Sequence, residues 1–407
     1  MLYGISAATT AFLLTAVLAA MLRGPVLRAG IVDRRRQRPV PLFGGLAVVA
    51  VTCLVAGTGQ WTRVAPLGDG VARLLVAGVG VAALGLAADV WRLRARVLVG
   101  GTAVAAALVV PYEETGLPAG LLAVAWIVFV ALAFRALDHA DGLAGTVGVV
   151  TAFGAGACAA AEVMDGLAVL LSVLAAALTG FLMHNWPPAR IGLGACGSLF
   201  TGFLLASAAV FARAGYPLAS SARVLFPLTA VATADVVLVV VSRLMAGRPL
   251  LRGGPDHLAH RLRRLGPTPP TVTALLGAGA FAAVLAGVLV HSGWAGEPAV
   301  LWVVGGASAV VLGLLRVPVY GARRRAPAQS GPRTATRTLT GTPVQTSTRT
   351  PAQTSTRTPV QTFTRTPAQT SPRSPVRACP RPPAQTSTRA SGEVSAQVTG
   401  RLRVRNG

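Results

Sequence analysis

The chain has 407 residues, 53% hydrophobic and only 12% charged, with a mean hydropathy of +0.61 and a net charge of +24. A water-soluble domain carries roughly twice that charged fraction, so the composition excludes an ordinary soluble protein. The 37 basic residues are all Arg, gathered at the ends of apolar runs and in the C-terminal region, a placement that membrane topology and anionic lipid explain better than nucleic acid.

Apolar runs of about the length that crosses a bilayer are read near 3–22, 42–58, 71–88, 97–112, 118–137, 143–161, 165–184, 198–215, 222–244, 270–291 and 299–317. The expected fold is therefore all-α and polytopic, with about 11 transmembrane helices. Helices are favoured in lipid because each backbone polar group is satisfied within its own segment. The first run follows almost no positive charge and reads as a retained helix, not a cleaved leader. Three loops, 23–41, 89–96 and 245–269, are rich in Arg, whereas PYEETGLP (111–118) and HSGWAGEP (291–298) have Glu and no Arg. The positive-inside rule then puts the N-terminus outside and the C-terminus in the cytoplasm of a plasma-membrane protein. Cys53, Cys158, Cys196 and Cys379 are scattered and imply no disulfide framework.

From about 321 the composition changes. TPVQTSTR (342–349) opens six tandem variants of one eight-residue unit, each with Pro. Such a repeat cannot bury a core. The reading is a membrane domain over 1–320 and a disordered cationic tail over 321–407, either drawn to inner-leaflet anionic lipid or a repeat expansion without function.

Acidic residues are scarce, so their positions inform. Asp89 ends the third run, and Asp138 and Asp141 lie in LDHADGLAG between the fifth and sixth. At i and i+3, two carboxylates share a helix face and call for a cation such as Mg²⁺ between them; a helix N-cap is the plainer alternative. His257 and His260 are also three apart, with Arg261, Arg263 and Arg264 close by. That cluster suits a phosphate, or an interfacial amphipathic helix.

RPVPLFGG (38–45), GLAAD (85–89), LDHADGLAG (137–145), GFLMHNWPPA (180–189), GLGACGSLFTGFLLA (192–206) and DHLAHRL (256–262) stand in the order found in one family. The chain resembles the polyprenyl-phosphate N-acetylhexosamine-1-phosphate transferases over residues 1–317. The resemblance implies transfer of a sugar phosphate from a UDP-sugar to polyprenyl phosphate, release of UMP, and Mg²⁺ on the diphosphate. It implies metal or catalytic roles for Asp89, Asp138 and Asp141, catalytic roles for His257 and His260, and substrate contacts from Asn185, Gly197, Ser198 and Arg261.

The same resemblance exposes departures. The first residue of an Asp pair is Ala88, a Lys position is Leu98, an Asn position is Arg135, and an aromatic position is Gly192. The metal-binding Asp of the family's MGDxGS pattern is Ala195, and an Arg-x-His insertion before Pro41 is missing. Three readings stay open: an impaired homologue acting as a homodimer or as partner of another transferase, an active enzyme with a rearranged Mg²⁺ site, or a membrane scaffold or transporter.

Overall fold

The computed structural model describes residues 2–28, 32–33, 40–91, 93–249 and 254–319. The expected tail, and the whole Arg cluster between residues 34 and 39, lie outside the described residues. Fourteen helices are described, the first seven being α1 (Leu2–Arg28), α2 (Gly44–Trp61), α3 (Gly68–Trp91), α4 (Ala95–Val109), α5 (Tyr112–Thr115), α6 (Leu117–Leu137) and α7 (Leu143–Ala161). The others are α8 (Asp165–Asn185), α9 (Gly194–Phe211), α10 (Leu218–Leu228), α11 (Ala230–Met245), α12 (Leu258–Arg264), α13 (Pro269–His291) and α14 (Glu297–Leu315). A short antiparallel pairing joins β1 (Val32–Asp33) to β2 (Val40–Pro41).

Each of the eleven expected spans has a counterpart. Among the described residues nine helices are long and apolar enough to cross a bilayer on their own. The run read at 222–244 is a pair, α10 and α11, bent by 84° at Thr229. The run read at 97–112 is α4, with 15 residues. At 1.5 Å per residue it reaches only about 22 Å. The protein is a polytopic all-α membrane protein.

Burial is graded around α9. Every residue from Gly194 to Val210 is buried, and α3, α6, α7 and α2 pack around this helix. At the other extreme α14 buries only Val311 and Leu314, and exposes Leu301, Trp302 and Leu312. Such an apolar exterior suits lipid, which is as apolar as the side chains themselves.

Two glycine contacts set how closely α9 is held. A Cβ on Gly45 would collide with the Gly197 nitrogen, so the start of α2 touches α9 backbone to backbone. Gly194 has φ +71°, and a Cβ there would collide with the Leu42 carbonyl oxygen. The approach is sealed by main-chain bonds. Gly192 donates to the Pro41 carbonyl, while Gly44 and Gly45 donate to the carbonyls of Gly192 and Leu193. The FGG and GLG elements of the sequence are therefore two halves of one contact.

Candidate functional site

The first turn of a helix has four N–H groups with no partner inside the helix. At α9 three of them are met by acids from elsewhere in the chain. Asp89, near the end of α3, accepts the N–H of Ala195 at 3.0 Å with one oxygen and that of Cys196 at 3.1 Å with the other. Asp138, just past α6, accepts the N–H of Gly194 at 2.9 Å. Two carboxylates at the positive end of the helix dipole are electrostatically well placed. Ala195 occupies the same turn, and its methyl group is buried.

Around this turn lie the other expected polar residues. Asp141 accepts the Ala189 N–H at 3.0 Å. Asn185 accepts the Gly142 N–H at 2.9 Å and donates to the Ile191 carbonyl at 2.7 Å, which locks the 138–142 turn to the segment before α9. The Ser198 hydroxyl donates to the Gly194 carbonyl, and Gly197 faces Gly45. The structure thus brings Asp89, Asp138, Asp141, Asn185, Gly197 and Ser198 to one end of α9.

The histidines form a second group, reached through the residue after Asp138. The ring of His139 stacks on that of His257, with centroids 4.1 Å apart, and lies 4.9 Å from that of His260. Asp235 of α11 accepts from His257 Nδ1 at 2.8 Å and from the Leu258 N–H at 2.8 Å, so it holds the start of α12. Burial, then the adjoining His257, pushes the His139 imidazole down to about 3. The pKa of His260 is lowered by the same two causes in the same order.

Arg261 turns inward. Its guanidinium is buried and donates to the carbonyls of Leu314 and Val317 and to the Ser242 hydroxyl. Beside it, Arg243 pairs with buried Asp256 at 2.8 Å.

His139 and Asp235 are the functional candidates that sequence reasoning passed over. Asp235 is the one charged residue between Arg223 and Arg243. An isolated acid inside an apolar run is itself a signal. His139 stands where the family pattern DGLDGLA has Gly between its acids.

An all-oxygen Mg²⁺ centre is a poor fit to these residues. Magnesium asks for near-octahedral oxygen ligands. Ala195 offers none, and both oxygens of Asp89 and one of Asp138 are held by α9 amides. Among the described residues, the His, Cys, Asp and Glu side chains whose donor atoms gather within 4.8 Å are His139, Asp235 and His257, not the three aspartates.

Comparison with known proteins agrees with the motifs. Residues 71–213 match the profile of Glycosyl transferase family 4. A provisionally named glycosyltransferase of Streptomyces coelicolor is 67% identical over 327 residues, covering 79% of this chain and 80% of the relative. The decaprenyl-phosphate N-acetylglucosaminephosphotransferase of Mycobacterium tuberculosis is 30% identical over 303 residues, 62% of this chain and 75% of that protein. The phospho-N-acetylmuramoyl-pentapeptide-transferase of Moorella thermoacetica is 33% identical over a shorter stretch, 34% of this chain and 42% of that one. With the ordered motifs, the polytopic helical body and these similarities together, the chain belongs to glycosyl transferase family 4, among the polyprenyl-phosphate N-acetylhexosamine-1-phosphate transferases.

Proposed function

We propose that this protein is a membrane homologue of the UDP-N-acetylhexosamine:polyprenyl-phosphate transferases whose own transfer chemistry is impaired, and which acts as a homodimer or as partner of an active transferase. The observation that carries this reading is the first turn of α9. Ala195 stands at the family's ligand position, and Asp89 and Asp138 are bonded to that turn's amides. Phosphoryl transfer is almost entirely positioning and charge neutralisation, so losing a metal ligand acts on the step directly. Mg²⁺, the UDP-sugar and polyprenyl phosphate remain the ligands to expect, bound weakly.

The Arg-rich loops favour placing this end of the bundle in the cytoplasm of the plasma membrane, with the N-terminus outside. The tail, from about 321, would then lie along anionic lipid of the inner leaflet, each Arg near the surface contributing about 1 kcal/mol.

One observation favours a second reading, an active enzyme with a rearranged Mg²⁺ site. Asp89 and Asp138 still meet at the first turn of α9, and Asp141 holds the Ala189 amide just before it, so three carboxylates remain around the family's metal position.

The test is UMP release by the purified full-length protein from UDP-GlcNAc and polyprenyl phosphate, with and without Mg²⁺. The expected rate is at least about 10³-fold below that of an active relative assayed alongside, corresponding to roughly 4 kcal/mol on the barrier. Mg²⁺-dependent turnover near the relative's rate would overturn impairment and leave the second reading standing.

A further inference from the structure

We propose that His139, His257 and Asp235, with His260 at hand, form a site for a divalent transition metal of the zinc class. The donor atoms of the first three lie within 4.8 Å of one another. Two imidazoles and a carboxylate are the donor set of Zn²⁺, Co²⁺ or Ni²⁺, and are too nitrogen-rich for Mg²⁺. The inference does not rest on whether the protein transfers sugar phosphate.

The His139 tautomer is set in the way metal sites require. His139 Nδ1 lies 2.7 Å from the Ala136 carbonyl oxygen. A carbonyl can only accept, so Nδ1 carries the proton and the lone pair is on Nε2. That Nε2 is buried and has no hydrogen-bond partner among the described residues. A buried polar atom left unpartnered costs free energy, and a metal ion would relieve that cost. At His257 the nitrogen that clusters with Asp235 is Nδ1, 2.8 Å from Oδ2, so a metal bound there would take the place of the proton the two share. Histidine ligands characteristically donate their second ring N–H to a carbonyl or a carboxylate, as His139 does to Ala136.

Loading needs a definite adjustment. The His139 and His257 rings are inclined by only 20°, and nearly parallel rings cannot both aim a lone pair at one ion. A tetrahedral centre with bonds of about 2.1 Å needs its donors about 3.4 Å apart. One imidazole must turn, which would unstack the pair, and His260, 4.9 Å from His139, is placed to complete the shell.

The experiment uses the full-length protein in detergent, stripped with a chelator and titrated with Co²⁺ alone. The expected result is one equivalent bound with the intense visible bands of four-coordinate Co²⁺. Equimolar Zn²⁺ should abolish them, and a large excess of Mg²⁺ should leave them unchanged. His139→Ala should weaken Co²⁺ binding at least about tenfold. Absence of those bands, or equal affinity in His139→Ala, overturns the site. Unfolding curves of the stripped proteins report whether the variant folds. Should it not fold, X-ray absorption of the Co²⁺-loaded wild type decides: imidazole scattering supports the site, and an oxygen-only shell overturns it.

Discussion

The carboxylate of Asp89 on α3 accepts the main-chain N–H of Ala195 at 3.0 Å. The residue expected to hold a cation therefore caps a helix, and the residue at the family's metal-ligand position belongs to the turn being capped. That relation makes the consequences of changing either residue separable.

Asp89→Ala should destabilise the protein even without substrate or metal. It leaves the N–H groups of Ala195 and Cys196 without their acceptor inside a buried turn. An unsatisfied buried donor costs about 1–3 kcal/mol. Asp89→Asn keeps one acceptor oxygen and should lose less. Thermal unfolding in detergent measures both; wild-type midpoints for the two variants would show that the cap contributes nothing.

Ala195→Asp combined with Ala88→Asp should raise Mg²⁺ affinity at least about tenfold, because added oxygen ligands matter most in a site that has few. Burying new carboxylates without a cation is unfavourable, so the double variant should unfold at a lower temperature than wild type in chelator and recover when Mg²⁺ is added. Calorimetry that finds equal affinity in the two proteins rules out this geometry.

Gly45→Ala should be severe and Gly57→Ala mild. A methyl group introduced at position 45 would collide with the Gly197 backbone, whereas nothing lies within 4 Å of a Cβ at position 57. Overpacking against backbone that cannot yield costs typically about 1–3 kcal/mol or more. Comparable folded yield and melting for the two variants would contradict the close approach of α2 and α9.

Sidedness can be read by labelling single cysteines in a background without the four native ones. Glu114 and Pro255 are both exposed. Glu114→Cys should react with an impermeant maleimide on intact cells, and Pro255→Cys only after permeabilisation. The reverse pattern would put the α9 entrance outside, away from any cytoplasmic nucleotide.

The helical body was legible because hydropathy and length alone mark a bilayer-crossing helix. The bend at Thr229 was passed over although Pro227 lies inside the run, and a proline there is a known cause of kinks. Among the candidate residues, the convergence of Asp89, Asp138, Asp141 and Asn185 followed from motif order. Their hydrogen-bond partners did not, since these depend on where the start of α9 sits in three dimensions. Arg261 is a different case. It stands three residues after Leu258, on the face that α12 buries, so helical periodicity already separates it from the exposed Arg263 and Arg264. Asp235 and His139 were visible as residues, but the pairing of His139 with His257 joins segments more than a hundred positions apart.

The inward turn of Arg261 has a mechanical consequence. Its guanidinium rivets α12 to the last turn of α14 through the Leu314 carbonyl and to the chain just beyond it through that of Val317, and Arg264 reaches the Pro318 carbonyl. The chain runs from that same point into residues 320–407. The helix that presents His260 is thus tied directly to the backbone at Leu314, Val317 and Pro318. Truncation after Val319 leaves the rivet whole. Truncation before Leu314 removes its anchor points while sparing every residue the sequence nominated for chemistry.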